Sequence, residues 1–230
     1  MKAVKKNKIP LNLPSQFLFT NRCRLCTKVI PLGETLCRDC NTEKIRIPEN
    51  FFSSKTYSEK SYDKNTAPFF YKTPVKEGIL NLKYNGFRKS AQYLSQEMVR
   101  AIERDFSDEE PDYITCVPMS RKRKRKKGYN QCNFLIRYIA KVFGMKPTYN
   151  LIIKTKETPT QVNLNHKERL TNLKGAFSAN EKYNLKNKTV LLCDDVMTTG
   201  STLNECSAAL KKAGARRVIC VTAAINHNDN

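Results

Sequence analysis

The chain has 230 residues, with 42 Lys and Arg against 21 Asp and Glu, a formal net charge of +21. That length suits one α/β core with a small appendage, and the lack of any run of about 18 uninterrupted apolar residues argues against a membrane-inserted protein. Nine cysteines, an odd number, follow an N-terminus "MKAVKKNKIPLNLPSQFLF" that has no continuous apolar run before a cleavage site, so a soluble, cytoplasmic protein with reduced thiols or bound metal is expected.

The excess charge attracts polyanions or phosphorylated small molecules, and a high charge for solubility alone explains it as well. Residues 1–22 carry Pro10 and Pro14 and no helical or strand period, an extended basic lead-in. Residues 23–45 form a cysteine module in which Cys23-x-x-Cys26 and Cys37-x-x-Cys40 are separated by ten residues. Each C-x-x-C bends so that two thiolates share a centre, and two such turns complete a structural four-sulfur zinc site about 2.3 Å from each sulfur. A redox pair of disulfides lacks the βαβ setting it needs, and an iron–sulfur cluster is a further alternative.

Residues 46–68, polar and rich in Ser and Lys, read as a linker with room for one short strand, and the main domain is expected over 69–227. Its first segment, "FFYKTPVKEGILNLKYNG", offers an aromatic strand and a short helix that Gly86 ends. Phe87, Ala91, Leu94, Met98, Ile102 and Phe106 then recur at helical spacing. "YITCVP" reads as a buried strand, Cys132, Leu135, Ile139 and Phe143 as a helix stripe, "LIIKT" and "TVLLC" as strands. Leu203, Cys206, Leu210 and Ala213 mark a last helix capped by Gly214, before the strand "RVICVTAAI". Strands alternating with helices predict an α/β fold with a mostly parallel sheet covered on both faces.

"VLLCDDVMTTGST", residues 190–202, falls where such a sheet binds ligands, past a strand end and before a helix. A turn of small residues with one glycine lets the backbone wrap a phosphate, with hydroxyls of Thr198, Thr199, Ser201 and Thr202 as added donors around Gly200. Asp194 and Asp195 can accept from a pair of sugar hydroxyls or approach a divalent ion. Two acids beside a phosphate repel it unless a diol or a metal lies between, so a ribose 5-phosphate fits. The run resembles the phosphoribosyl pyrophosphate signature of the type I phosphoribosyltransferases. The resemblance implies that Asp194 and Asp195 hold the ribose hydroxyls, that Thr198 to Thr202 bind the 5-phosphate, and that Mg²⁺ accompanies phosphoribosyl pyrophosphate. Thr198 stands where some members carry an acid that serves the nucleobase, which removes a ready proton-transfer group.

"RKRKRKK", residues 121–127, follows a strand as a basic loop whose like charges repel until an anion neutralises it; pyrophosphate and a nucleic-acid backbone both qualify, and a solvated charge run is the plain alternative. Its frame, "CVPMSRKRKRKKGYNQ", resembles the V-P-x-x-x-x-R-x-R-x-R-G-F-N-Q segment of the ComF/GntX proteins, a phosphoribosyltransferase-like family associated with DNA uptake in natural competence. Lys127 replaces an arginine of that pattern and Tyr129 a phenylalanine. "TPTQVNLNHKERLTNLKGAF", with Gln161, Arg169, Asn172 and Phe177, and "LKYNG" at 82–86 are further matches, so the resemblance spans residues 23–225. It places Ser120, Arg121 and Lys122 on the pyrophosphate and implies a route for single-stranded DNA over Arg123, Lys124, Arg125, Lys126 and Lys127. A helicase and a recombination mediator are the protein partners it implies.

Cys116, Cys132, Cys193, Cys206 and Cys220 lie in strand or helix patterns and read as small buried residues. His166 and His227 are the only histidines; His227 lies in the C-terminal tail, and His166, just before Arg169, reads as solvated, with a further reading toward the ligand. Tyr84 and Phe87, among Lys83, Arg88 and Lys89, read as core or as a stacking platform for bases. Two functions remain open: a competence protein that keeps a phosphoribosyl pyrophosphate pocket while handling single-stranded DNA, and a catalytic phosphoribosyltransferase acting on a nitrogen nucleophile with release of pyrophosphate.

Overall fold

A computed structural model describes residues 20–52, 57–156 and 173–226. Gln161, Arg169, Asn172, His166, His227 and most of the basic lead-in lie outside the described residues. The central sheet is five-stranded and parallel, built from β1 (Lys64–Thr66), β2 (Phe69–Phe70), β3 (Tyr113–Cys116), β6 (Thr189–Met197) and β7 (Arg217–Ile225). β7 pairs β6 from Thr189↔Arg217 to Met197↔Ile225. On its other side it takes β1 (Lys64↔Ile219 to Thr66↔Val221) and then β2 (Phe69↔Ala224, Phe70↔Ile225). β3 closes the far edge, with Tyr113↔Val190 to Cys116↔Cys193. Sheet pairing therefore starts at Lys64, inside the segment expected to be a linker and ahead of Phe69.

The two-residue period of the strands sorts the core into two layers. Leu191 and Cys193 of β6, with Ile219 and Val221 of β7, join the layer under α1 (Val75–Tyr84), α2 (Arg88–Asp105) and α4 (Gln131–Val142). Val190, Leu192, Val218 and Cys220 point the other way, to Leu203, Cys206 and Leu210 of α5 (Ser201–Lys212). The stripe along α2 is buried from Ala91 through Leu94, Met98 and Ile102, and each large apolar side chain taken from water stabilises by about 1.5–3 kcal/mol. The five cysteines outside the N-terminal module are all buried.

Two segments differ from their sequence reading. "LIIKT" does not join the parallel sheet: β4 (Ile152–Lys154) pairs antiparallel with β5 (Phe177–Ala179) in a separate two-stranded unit. A three-residue strand has too short a pattern to declare which sheet it enters. The "RKRKRKK" run is not a loop but the helix α3 (Arg121–Lys127). Ser120 caps its start, accepting from the Arg123 N–H at 3.4 Å, and Gly128 ends it at φ +81°, donating its N–H to Lys124 O at 2.8 Å. Lys and Arg are good helix formers, and with every side chain of α3 outside the core, water screens the repulsion that the sequence reading took as decisive.

The cysteine module lies against α1 and α2. A Cβ on Gly78 would sit 2.3 Å from Leu25 Cδ2, so only glycine lets the module approach α1 this closely. Asn81 Nδ2 donates to Leu25 O at 2.7 Å and Ser90 Oγ to Arg24 O at 2.6 Å. Arg46 meets the buried Glu97 at 2.7 Å.

Candidate functional site

The C-terminal ends of β3 and β6 open into a cavity of about 320 Å³, lined by Lys83, Ser120, Arg123, Gln131, Lys154, Phe177 and the segment from Asp194 through Met197 to Thr198 and Gly200 to Leu203, among others. β6 continues through the two acids, with Asp194 in register with Thr222, so the carboxylates stand on rigid strand rather than on the loop beyond it. Their surroundings come from "LKYNG" and "GYNQ". Tyr129 Oη donates to Leu82 O at 3.1 Å and Lys83 O at 3.3 Å, tying the end of α1 to the chain that follows α3. Asn130 caps α4 by accepting from the Cys132 N–H at 3.1 Å, which sets Gln131 and Cys132 in the first turn, facing β6.

Lys83 Nζ lies 2.9 Å from Asp195 Oδ1, and Gln131 Nε2 donates to Asp195 Oδ2 at 2.7 Å. The Cys132 thiol donates to Asp194 Oδ1 at 3.4 Å, and that oxygen also accepts the Asp195 N–H at 2.8 Å. Burial opposes the Lys83 ammonium, but Asp195 and then Asp194 outweigh it and raise its pKa above the ordinary lysine value. Burial, followed by the neighbouring Asp195 charge, pushes the Asp194 carboxyl up to about 7. Burial and then Asp194 hold the Cys132 thiol well above its usual range, so it is an S–H donor and not a thiolate. Burial lowers the pKa of Lys127, whose Nζ donates to Gln131 Oε1 at 2.6 Å and lies 4.6 Å from the Tyr129 ring centroid.

Gly200 turns the chain at φ +75°, and a Cβ there would stand 3.1 Å from Met197 Cε and 3.2 Å from Tyr62 Oη. Thr199 Oγ1 accepts from the Ser201 N–H at 3.3 Å and lies 2.9 Å from Ser201 Oγ. Of the expected ribose-phosphate residues, Asp194, Asp195, Thr198, Gly200, Ser201, Thr202 and Ser120 line the cavity. Thr199 instead braces the turn from within. Arg121 and Lys122 do not line the cavity but share a shallow surface hollow with Arg125 and Lys126. Arg123, assigned to nucleic acid from the sequence, faces the cavity. Lys127 is occupied with Gln131 and Tyr129, and Lys124 is exposed on α3.

The sequence gives Lys83 only as a charge beside the Tyr84 and Phe87 platform, Cys132 only as a buried helix residue and Gln131 no role of its own, and none of the three is expected to meet the acid pair. Their signal was present as the blocks "LKYNG" and "GYNQ", which matched a family pattern without naming a contact. Tyr84 is exposed at the end of α1, while Phe134 of the "GYNQ" helix packs 4.9 Å under the Arg88 guanidinium. Phe177 lies under Lys154, whose Nζ is 5.5 Å from the ring centroid.

The sulfurs of Cys23, Cys26, Cys37 and Cys40 lie within 4.8 Å of one another, with Cys26 and Cys37 3.6 Å apart. A tetrahedral zinc site with bonds of about 2.3 Å needs sulfurs about 3.8 Å apart, so the four fit such an ion. Burial opposes ionisation of Cys23, but N–H groups of Cys26, Cys37 and Leu25 outweigh it and lower the thiol to about 7, whereas burial raises Cys26 and Cys40; a bound ion would have to displace the remaining protons.

Residues 138–230 match the model of the phosphoribosyl transferase domain. Competence protein F of Haemophilus influenzae is 34% identical over 200 residues, covering 85% of this chain and 86% of its own. The DNA utilization protein YhgH of Escherichia coli K12 is 25% identical, with the same shares covered. Competence protein ComFC of Streptococcus pneumoniae is 29% identical over 202 residues, covering 80% of this chain and 84% of its own. No helix among the described residues is long and apolar enough to cross a membrane.

Proposed function

We propose, starting from a chain that belongs to the ComF family of competence-associated, phosphoribosyltransferase-like proteins, that its cavity binds phosphoribosyl pyrophosphate and that α3 carries single-stranded DNA. The observation that carries the first half is the pairing of Asp194 and Asp195, on rigid strand, with a Gly200 turn of small hydroxyl residues in one cavity of about 320 Å³. Asp194 would accept from the ribose hydroxyls, and Ser201, Thr202 and the backbone of the turn would hold the 5-phosphate at the head of α5. Arg123 and Lys154 would face the pyrophosphate, whose Mg²⁺ neutralises charge between its phosphates. Four exposed basic side chains around the α3 hollow, Arg121, Lys122, Arg125 and Lys126, support the second half, because a strand of phosphates needs a row of hydrated cations and not an enclosed pocket.

Thr198, exposed at the mouth of the cavity, offers no group that could move a proton on a nucleobase there, which counts against purine-salvage chemistry. Titration calorimetry with phosphoribosyl pyrophosphate and Mg²⁺ tests the pocket. The native protein is expected to bind, and Asp194→Asn, which keeps the shape of the side chain, to bind at least about tenfold more weakly. Equal affinity in the two proteins, or none in the native one, would overturn the reading.

A further inference from the structure

A sugar phosphate brings negative charge to a site that already holds two carboxylates. Asp195 is only 5% exposed, and each of its oxygens already accepts a donor of the protein: Lys83 Nζ at 2.9 Å and Gln131 Nε2 at 2.7 Å. Lys127 Nζ, 2.6 Å from Gln131 Oε1, fixes the amide so that its NH₂ faces Asp195. Asp194 uses Oδ1 for the Cys132 thiol and the Asp195 N–H, and its Oδ2 has no hydrogen-bond partner among the described residues.

Ligand atoms of Cys132, Asp194 and Asp195 lie within 4.8 Å of one another, a nook of a size that holds a cation. Its chemistry is wrong for Mg²⁺, which takes hard oxygen ligands in near-ideal octahedra and keeps its own waters. One of the three groups is a protonated thiol, and a second is already paired with an ammonium. Lys83 reaches this point because Tyr129 holds the backbone carbonyls of Leu82 and Lys83, so the ammonium is positioned by the fold and not recruited by a ligand.

We propose that Lys83 is the resident cation of the ribose end of the pocket. It neutralises the acid pair in place of a divalent metal, so that a ribose phosphate is held by Asp194 and the Gly200 turn without one. Mg²⁺ then enters only with ligands that carry a pyrophosphate. Lys83 is a positioning residue in this scheme, acting on the ligand through Asp195. The inference rests on the ribose-phosphate reading of the cavity.

The test is a calorimetric titration of the full chain with ribose 5-phosphate, with and without added Mg²⁺. No chelator is used, so any ion at the four cysteines stays in place. The native protein is expected to bind with the same affinity in both buffers, within about threefold. Lys83→Met is expected to bind at least about tenfold more weakly without Mg²⁺ and to recover when Mg²⁺ is added, because the ion can then occupy the freed Asp195. The double variant Lys83→Met, Asp195→Asn removes both charges, strands neither, and is expected to bind again without Mg²⁺. It also decides the matter if Lys83→Met alone does not fold. Native binding that needs Mg²⁺ would overturn the proposal and leave the pocket reading standing. A loss in Lys83→Met that Mg²⁺ does not restore would reduce Lys83 to a structural residue. If ribose 5-phosphate binds in neither buffer, this proposal falls, and the pocket reading is decided separately by the titration with phosphoribosyl pyrophosphate and Mg²⁺.

Discussion

In the pocket Asp195 is met by Lys83 at 2.9 Å and by Gln131 at 2.7 Å, whereas α3, at the pocket's edge, places seven basic side chains in seven residues and buries none of them. The two regions use charge under opposite conditions. Buried charges lose hydration and persist only with partners in fixed geometry, so the pocket is preorganised and suited to a ligand of matching shape. Exposed charges keep their water and are screened within about 8–10 Å at physiological salt, so α3 is suited to charge density rather than to the identity of one ligand. Arg123 belongs to both, sitting on α3 and facing the cavity.

The largest break in this comparison is expected from Asp195→Ala, which strands a mostly buried ammonium. Truncating one partner of a buried pair costs about 3–5 kcal/mol, measurable by urea denaturation, and a loss under about 1 kcal/mol would mean that the pair is effectively solvated. Next comes removal of the α3 charges, Arg121→Gln, Lys122→Gln, Arg125→Gln and Lys126→Gln together. Each phosphate that the helix no longer neutralises should flatten the log–log salt dependence of oligonucleotide binding by about 0.7, with calorimetric affinity for phosphoribosyl pyrophosphate unchanged. Stability should hold or rise, because the like pairs Arg121 with Arg125 and Lys122 with Lys126 each cost about 0.2–0.5 kcal/mol.

A third effect separates the regions by pH. Asp194 is raised in the folded state to about 7 by burial and then by Asp195, while the unfolded carboxyl titrates near 4. Between those values the folded protein holds the extra proton, so this group's contribution to stability falls as pH rises from about 4 to 7. Asp194→Asn should remove that part of the slope in denaturation series, and an unchanged slope would place the titration elsewhere. The smallest effect is expected at Gly128→Ala, where φ +81° disfavours a side chain by about 1 kcal/mol. Hydrogen exchange at the Gly128 amide, which bonds Lys124 O, should quicken while exchange in β6 stays unchanged.

The layers of the fold were legible because apolar residues repeat with the period of their element. Leu191 and Cys193 face one core and Val190 and Leu192 the other, and α2 buries the stripe read from its spacing. The acids and the small-residue turn were legible as a set because their chemistry is local. Lys83 and Gln131 were not, since the contacts that give them meaning join positions 83 and 131 to 195, and no local period encodes such a meeting. The helical state of α3 has a different sequence signal. Repulsion among seven cations points to a loop, while the two caps, Ser120 and Gly128, stand at the ends of the run in plain sequence and point to a helix.

The proposed function requires that one fold keep a sugar-phosphate pocket and a polyanion surface as separate sites. Fluorescence anisotropy of a labelled single-stranded oligonucleotide, titrated with the protein in the presence and absence of saturating phosphoribosyl pyrophosphate and Mg²⁺, tests it directly. Separate sites predict binding in both titrations, with midpoints within about twofold of each other and a steep salt dependence in each. Displacement of the oligonucleotide in proportion to the sugar phosphate, or no oligonucleotide binding at low salt, would contradict it.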